Sequence, residues 1–156
     1  FTEFDIGFLE EPLQPQDFQG YKELCSRSPV PIATGEAESL TPAFKALLEC
    51  GINFVQPDPG RCGISTMVEV GRIAHDYDCG TINHTFKSGV SIAASLHALA
   101  GIGNTEFSEY CVVDSPLRHD ITAESFQVTD GRLAIPEGPG LGITIVEETL
   151  AKYRIG

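Results

Sequence analysis

The sequence predicts an α/β fold, namely part of a parallel TIM-type barrel, and three observations lead to this prediction. Short apolar runs alternate with amphipathic helical stretches. Five of the apolar runs end in a polar residue, and these residues follow one another at intervals of 26, 22, 26 and 25 residues. An interval of about 25 residues is what one strand, one helix and two short loops require. The five polar residues are Glu10, Glu36, Asp58, His84 and Glu109.

The first two strand–helix units have clear helix signals. The strand that ends at Glu10 is followed by a turn and by a helix expected at 18–26. The next strand is expected at 30–34. Its helix begins with Thr41 as the N-cap residue and Pro42 in the first helical position, a frequent combination at helix starts.

The third and fourth units follow the same order. Gly51 ends the second helix, and a strand is expected at 52–56. Apolar residues then recur at helical spacing through 63–77. A short strand at 81–83 precedes the stretch 88–101, which is apolar on nearly all helical faces, so this helix is expected to be buried on two sides.

The regular alternation ends after the fifth strand, which terminates at Glu109. Two alternating stretches meet at Asp130-Gly131, which is a strong signal for a β-hairpin, and a last helix is expected near 146–153. The fold prediction is therefore the last five strands of a barrel, followed by a hairpin and a helix. Residues 1–112 are assigned to the carboxyl-terminal part of a barrel catalytic domain, and 113–156 to a tail that packs against a domain outside this sequence.

Length and composition narrow the possible functions. The 156 residues include 22 acidic and 10 basic side chains, a net charge of −12, so nucleic acid is not an expected partner. Five cysteines without a C-x-x-C pair argue against a disulfide framework or a zinc site. No apolar stretch is long enough to span a membrane, and a cytoplasmic location is favoured. A complete barrel needs about 250 residues, so the chain is expected to be part of a longer protein and to be inactive alone. The full-length protein is expected to be a homo-oligomer.

Glu10 and Glu36 are candidate metal ligands because both would lie at the same mouth of the barrel. Carboxylate oxygens on neighbouring strand ends are the hard ligands that Mg²⁺ prefers. A single glutamate near a strand end is more often a solvated or helix-capping residue. Two of them in register, next to the motifs EEP and TGE, favour the Mg²⁺ site.

Asp58 and His84 form a candidate acid/base pair. Neighbouring parallel strands lie about 5 Å apart, so the carboxylate can bond one imidazole nitrogen and direct the other towards a substrate. Glu109 could donate a hydrogen bond to a substrate oxygen if it stays protonated. The alternatives are a structural histidine and an ordinary salt bridge. The structural role is the expected one for the other three histidines, His75, His97 and His119.

The ordered set of motifs resembles the enolase superfamily, and within it the mandelate racemase subgroup. The resemblance covers essentially the whole chain. The motifs are FLEEPL at 8–13, ATGE at 33–36, QPDPGRCG at 56–63, NHTFKSG at 83–89, FSEY at 107–110 and DGRLAIPEGPGLGI at 130–143.

The resemblance implies a (β/α)7β barrel and a role for each strand-end residue. Glu10 and Glu36 become Mg²⁺ ligands, His84 the acid/base, Asp58 its partner and Glu109 the electrophilic hydrogen-bond donor. The third metal ligand, any second base and the capping domain that selects the substrate would lie before residue 1. The small-molecule substrate is then a carboxylate.

Three functional hypotheses remain open on the sequence. The first is an acid-sugar dehydratase that forms a 2-keto-3-deoxy acid from an aldonate or aldarate. The second is a racemase or epimerase of a 2-hydroxy acid. The third is a truncated, non-enzymatic binding module. Thr85, Lys87 and Arg61 are expected near the substrate because they adjoin the motifs.

Overall fold

A parallel sheet of four strands forms the centre of the protein in a computed structural model that describes residues 1–155. Sequential strands are neighbours, in the order β1-β2-β3-β4. In register, Leu9 pairs with Ile32, Ala33 with Phe54, and Phe54 with Gly80. The strands are β1 (Leu9–Glu10), β2 (Ile32–Thr34), β3 (Phe54–Val55) and β4 (Gly80–Thr81).

Helices connect these strands and pack against one another in chain order. This is the repeating βα arrangement of a parallel barrel, and the predicted fold class is confirmed as a partial barrel. A short 3₁₀ helix at Thr2–Phe4 precedes the sheet. The connecting helices are α1 (Phe18–Arg27), α2 (Thr41–Glu49), α3 (Pro59–Asp76) and α4 (Gly89–Ile102), and two short helices follow, α5 (Pro116–His119) and α6 (Glu147–Lys152).

The start of α1 shows how local sequence and packing act together. The Asp17 carboxylate caps the helix by accepting a hydrogen bond from the Gly20 amide at 2.8 Å. One turn in, Tyr21 is fully buried, and its hydroxyl donates to the Leu13 carbonyl and contacts the Thr34 hydroxyl, both at 3.1 Å. This tyrosine therefore ties the first helix to the end of β2.

The main core lies between the sheet and the first three helices. Side chains from strands and helices interdigitate there, and their removal from water supplies the main stabilisation of this half of the barrel. The buried members are Tyr21, Ile32, Phe44, Leu47, Leu48, Cys50, Ile52, Val55, Val70, Ala74 and Cys79.

Two helix starts differ from the sequence prediction. Thr41 is the first residue of α2 rather than its N-cap; the cap position belongs to Leu40, and the Thr41 hydroxyl donates to Glu69 on α3 at 2.9 Å. The third helix begins at Pro59, earlier than the predicted 63, because Asp58 caps it. Gly63, at φ 80° and ψ 159°, then kinks α3, a backbone conformation that favours glycine.

The predicted fifth strand is wrong. Residues 105–110 form no strand with β4, and the fold has four paired strands among residues 1–155. The segment begins with one backbone bond, from the Thr81 amide to the Asn104 carbonyl at 3.1 Å. Beyond that point the Asn83 side chain, rather than a neighbouring backbone, bonds the segment at Glu109.

The predicted hairpin is reduced to its turn. Asp130 and Gly131 have φ values of 50° and 72°, and Thr129 and Arg132 exchange two backbone hydrogen bonds across them. The last helix is confirmed but shorter than predicted, at Glu147–Lys152. Along the tail, α5 packs against α4. Among residues 1–155, no helix is both long and apolar enough to cross a membrane.

Candidate active site

Polar side chains gather where the parallel strands end, at one edge of the sheet. Parallel strands in register place their carboxyl ends side by side, so residues far apart in the chain meet there. The His84 imidazole contacts Asp58 on one side and Glu36 on the other. The charges of Glu10, Glu36 and Asp58 all act on the Glu109 carboxyl group. The five predicted residues therefore lie in one neighbourhood.

Asp58 and His84 form the predicted hydrogen-bonded pair. The imidazole Nδ1 lies 3.1 Å from Asp58 Oδ2. Asp58 is 1% exposed and also accepts the Gly60 amide at 2.7 Å as the N-cap of α3. Lys87 Nζ donates to the same Oδ2 atom at 2.8 Å. One buried carboxylate thus caps a helix, orients an imidazole and pairs with a cation.

These contacts keep Asp58 ionised. Burial by itself would raise the pKa of this carboxyl group, but hydrogen bonds from His84, Lys87 and the Gly60 amide outweigh burial and lower the pKa to about 2. At pH values above 3.8, the usual pKa of this group, the carboxylate therefore stabilises the folded protein. This stabilisation is lost as the pH falls towards 2.

We expect Asp58→Asn to destabilise the protein by about 2 kcal/mol at pH 7, from the size of this pKa shift. Asparagine can still accept the Gly60 amide and cap α3, so the change mainly removes the charge. Urea unfolding of both proteins at pH 7 and near pH 2 measures the difference. The two free energies of unfolding should converge at the acid end; an equal difference at both pH values would show that the lost contribution is not electrostatic.

The second imidazole nitrogen faces Glu36. His84 Nε2 lies 3.3 Å from Glu36 Oε2, and the histidine side chain is 16% exposed. The turn that presents this glutamate requires Gly35, which has φ 127° and lies against the Gln56 backbone and the Val55 side chain. The hydrogen bond to Asp58 raises the pKa of His84, burial lowers it, and the negative charges of Glu36 and Glu109 raise it further.

Glu10 is oriented by a residue that the sequence analysis did not identify. Gln56, 1% exposed, donates from Nε2 to Glu10 Oε1 at 2.6 Å. The neighbouring Glu11 turns away to the next strand, where it accepts hydrogen bonds from the Thr34 hydroxyl and the Gly35 amide. The structure is thus consistent with the prediction that Glu10, rather than Glu11, is available at the mouth of the barrel.

Glu109 is the most perturbed carboxyl group of the site. Burial, together with repulsion from Glu10, Glu36 and Asp58, raises its pKa to about 7, although the nearby His84 acts in the opposite direction. Its Oε2 atom is buried and has no hydrogen-bond partner among the described residues. A carboxyl group in this state can be protonated near neutral pH and can donate a hydrogen bond to a ligand.

The carboxylates fit part of a Mg²⁺ site. Glu10 and Glu36 offer the hard oxygen atoms that Mg²⁺ prefers, and Gln56 fixes one of them. Within residues 1–155, no group of three or more His, Cys, Asp or Glu side chains is arranged to hold a metal ion. The donor set is therefore compatible with Mg²⁺, and Glu10 and Glu36 are its two candidate ligands.

The structure also locates the three residues expected near the substrate. Thr85 is 2% exposed, and its hydroxyl contacts Asn83 and Ser95. Its side chain is therefore part of the core, and the expectation of a substrate contact is wrong. Lys87 pairs with Asp58 instead of standing free. Arg61 is exposed on α3 and stays an untested prediction.

Two functional candidates were missed because their side chains act through others. Gln56 bonds Glu10, and Asn83 bonds the main chain of Glu109. Both lie directly in motifs that the sequence analysis used, QPD and NH. An amide side chain beside a strand-end carboxylate or histidine was the available signal.

Fold and site together define part of a parallel α/β barrel with acid/base groups at the carboxyl ends of its strands. The chain belongs to the enolase C-terminal domain-like family, whose sequence profile matches residues 1–149. This confirms the resemblance to the enolase superfamily on which the residue roles were based.

Two of the proteins that this chain resembles are named as cycloisomerases. The chain is 28% identical to the D-galactarolactone cycloisomerase of Agrobacterium fabrum over 97% of its length and 43% of the relative's. It is 29% identical to the 3,6-anhydro-D-galactonate cycloisomerase of Zobellia galactanivorans (TM-score 0.86, covering 97% of this chain and 44% of the other). For an enolase superfamily member from Polaromonas sp. JS666, the identity is 33% and the TM-score 0.90, with 99% and 42% covered. The chain thus spans about two fifths of the length of these relatives.

Proposed function

We propose that this chain supplies the acid/base half of an enzyme that removes the proton α to the carboxylate of a sugar acid. The observation that carries the proposal is the alignment of Asp58, His84 and Glu36 through the two imidazole nitrogens, at 3.1 and 3.3 Å. The likeness to cycloisomerases of sugar-acid derivatives supports the substrate class.

Proton removal is the difficult step because the product enediolate concentrates negative charge on the carboxylate. His84 accepts the α proton at Nε2, since Asp58 holds Nδ1 and stabilises the imidazolium that forms. Glu109, protonated near neutral pH, donates a hydrogen bond to the developing oxyanion. The base thus follows β4, and the acid comes from the neighbouring segment 105–110 at the same edge of the sheet.

Glu10 and Glu36 would hold Mg²⁺, together with a third ligand from outside residues 1–155. The cation, when bound, stabilises negative charge on the substrate carboxylate as a Lewis acid. It also offsets the repulsion among the acidic groups of the site, which has four carboxylates and one imidazole. Gln56 keeps Glu10 in place for this role.

Dehydration is the reaction we favour for the second step. His84 gives the proton that it took from Cα to the hydroxyl group on Cβ. The Cβ–O bond then breaks, its electron pair stays on the oxygen, and water leaves. The resulting enol tautomerises to a 2-keto-3-deoxy acid. One histidine performs both transfers, so no second base is required.

The similarity to two cycloisomerases favours a ring-opening isomerisation as the second candidate. If the oxygen on Cβ belongs to a lactone or anhydro ring, the same two proton transfers break the ring C–O bond and no water is lost. Racemisation or epimerisation remains a third possibility; it needs a base on the face opposite His84, and such a base would have to come from outside the described residues.

The complete polypeptide that carries residues 1–156 can be screened with aldonic and aldaric acids and with their lactones and anhydro forms in deuterated buffer. A keto acid formed with loss of water supports the dehydratase. A keto acid formed without loss of water supports ring opening, and inverted configuration without a keto product supports the racemase. If no carboxylate tested yields a keto acid or takes up deuterium at Cα, the proposed function is contradicted.

A further inference from the structure

We propose that Asn83 is the positioning residue that holds Glu109 in its reactive place by substituting for a missing strand pairing. The inference rests on the proposed function in assigning Glu109 a role in the reaction. Its structural half, that the Asn83 carboxamide fixes the Glu109 backbone, is independent of any activity.

The Asn83 side chain uses its full hydrogen-bonding capacity. It is 0% exposed. Oδ1 accepts from the Glu109 amide at 3.0 Å and from the Ser108 hydroxyl at 3.1 Å. Nδ2 donates to the Glu109 carbonyl at 3.1 Å and to the Thr85 hydroxyl at 2.7 Å. A carboxamide offers two donor hydrogens and two acceptor lone pairs, and all four are used here.

The two bonds to Glu109 replace what a β-ladder would supply. In a parallel sheet, a residue bonds its neighbouring strand through its own N–H and C=O. The segment 105–110 makes no such ladder with β4. Asn83 instead bonds both main-chain groups of Glu109 through one side chain. Among the described residues, no backbone–backbone hydrogen bond joins residues 105–109 to β4, so the Asn83 side chain holds this segment in its place.

Asn83 is itself firmly anchored. Its Nδ2 bonds the Thr85 hydroxyl, which in turn contacts the Ser95 hydroxyl on the buried face of α4. The next residue along the chain is His84, whose backbone amide bonds the Pro57 carbonyl at 3.1 Å. His84 is the base, and the side chain of the adjacent Asn83 holds the backbone of Glu109, which is the acid. The position of the base relative to the acid is therefore set by two adjacent residues.

A merely structural role would give a different result. Loss of a buried polar residue always costs stability, because its partners are left without hydrogen bonds. Asn104 is the matched control: it joins the same segment to β4 at the other end, where Nδ2 donates to the Cys79 carbonyl at 2.9 Å and Oδ1 accepts from Thr81 at 3.3 Å. Its loss loosens the segment far from Glu109.

The test compares Asn83→Ala, Asn83→Asp and Asn104→Ala in the complete polypeptide. Aspartate keeps the acceptors for Ser108 and the Glu109 amide but cannot donate to the Glu109 carbonyl. We expect both Asn83 variants to lower kcat for α-proton exchange by about 10- to 100-fold, the usual effect of losing a group that orients a reacting residue. KM and Mg²⁺ affinity, measured by calorimetry, should stay nearly unchanged. Asn104→Ala should lower stability without this loss of kcat.

Hydrogen exchange of the Glu109 amide separates the two halves of the inference. It should speed up in Asn83→Ala and stay protected in Asn104→Ala, whether or not a substrate is known. Unchanged protection in Asn83→Ala, or a kcat no lower than that of Asn104→Ala, would overturn the inference. Should Asn83→Ala fail to fold, Asn83→Asp supplies the kcat comparison, and Thr85→Val, which removes the hydroxyl that anchors Asn83 Nδ2, supplies the amide-exchange comparison. If the unaltered protein removes no α proton, by exchange or by conversion to a keto acid, the proposed function fails, while the amide exchange still decides the role of Asn83.

Discussion

His84→Asn should abolish α-proton exchange in the complete protein while leaving Mg²⁺ binding intact. Asparagine can still bond Asp58, but it has no nitrogen that can accept a proton near neutral pH. A positioned general base contributes about 10²- to 10⁴-fold, so a loss of this size or larger is expected. Glu10 and Glu36 are unchanged by the substitution, and the metal affinity should change little.

Proton NMR in deuterated buffer measures this loss directly, because the α-proton signal of the substrate disappears both by exchange for deuterium and by conversion to a keto acid. His97→Asn is the matched control, because that imidazole contacts the Leu141 carbonyl at 3.2 Å on the tail side of α4. The His97→Asn variant should exchange the α proton at the normal rate. Exchange at the normal rate in His84→Asn would remove this histidine from the mechanism.

The direction of the His84 pKa shift adds a pH dependence. Asp58 and the other acidic groups raise the pKa, so the neutral imidazole that acts as the base is lost as the pH falls through this raised value. Bound Mg²⁺ should reduce the shift, because its charge offsets that of Glu36. We therefore expect the acid limb of the kcat/KM profile of the unaltered protein to report the titration of His84.

Glu109→Gln should slow the reaction and stabilise the protein at the same time. Removing one preformed donor to an oxyanion usually costs about 10²- to 10³-fold in kcat. The gain in stability follows from the raised pKa of about 7, against a usual value of 4.5. At a pH where this carboxyl group is ionised, its burial destabilises the folded state, because the charge is removed from water.

The sign of this effect depends on pH. Below 4.5 the carboxyl group is protonated in both the folded and unfolded states, and the substitution should change stability little. Between 4.5 and 7 the folded protein holds a proton that the unfolded chain releases, so stability falls as the pH rises. Above 7 the full cost applies, about 1–3 kcal/mol after allowance for partial solvent exposure.

Thermal or urea unfolding at pH 4 and pH 8, without added metal, measures the stability half. The variant should match the original protein at pH 4 and exceed it at pH 8. Glu106→Gln provides the control, because that glutamate is exposed and lies on the same segment. A stability equal to that of the original protein at pH 8 would show that Glu109 is not under electrostatic strain.

The sequence by itself determined the class of fold, and it predicted which chemical groups form the site. Strand and helix each leave a distinct apolar period, and the near-constant interval between strand-end residues reflects the length of one βα unit. The same interval identifies Glu10, Glu36, Asp58, His84 and Glu109 as candidate site residues. Local signals also located the Asp130-Gly131 turn, because that turn type selects its own residues.

Only the tertiary structure decided how those groups are held. Residues 105–110 do not pair as a strand but bond a buried side chain from another segment, Asn83, and no local pattern encodes that contact. The same applies to Gln56 on Glu10 and to Lys87 on Asp58. Long-range hydrogen bonds and charge interactions depend on distances that appear only after the strands are packed, so the pKa values of the site are properties of the fold rather than of the sequence.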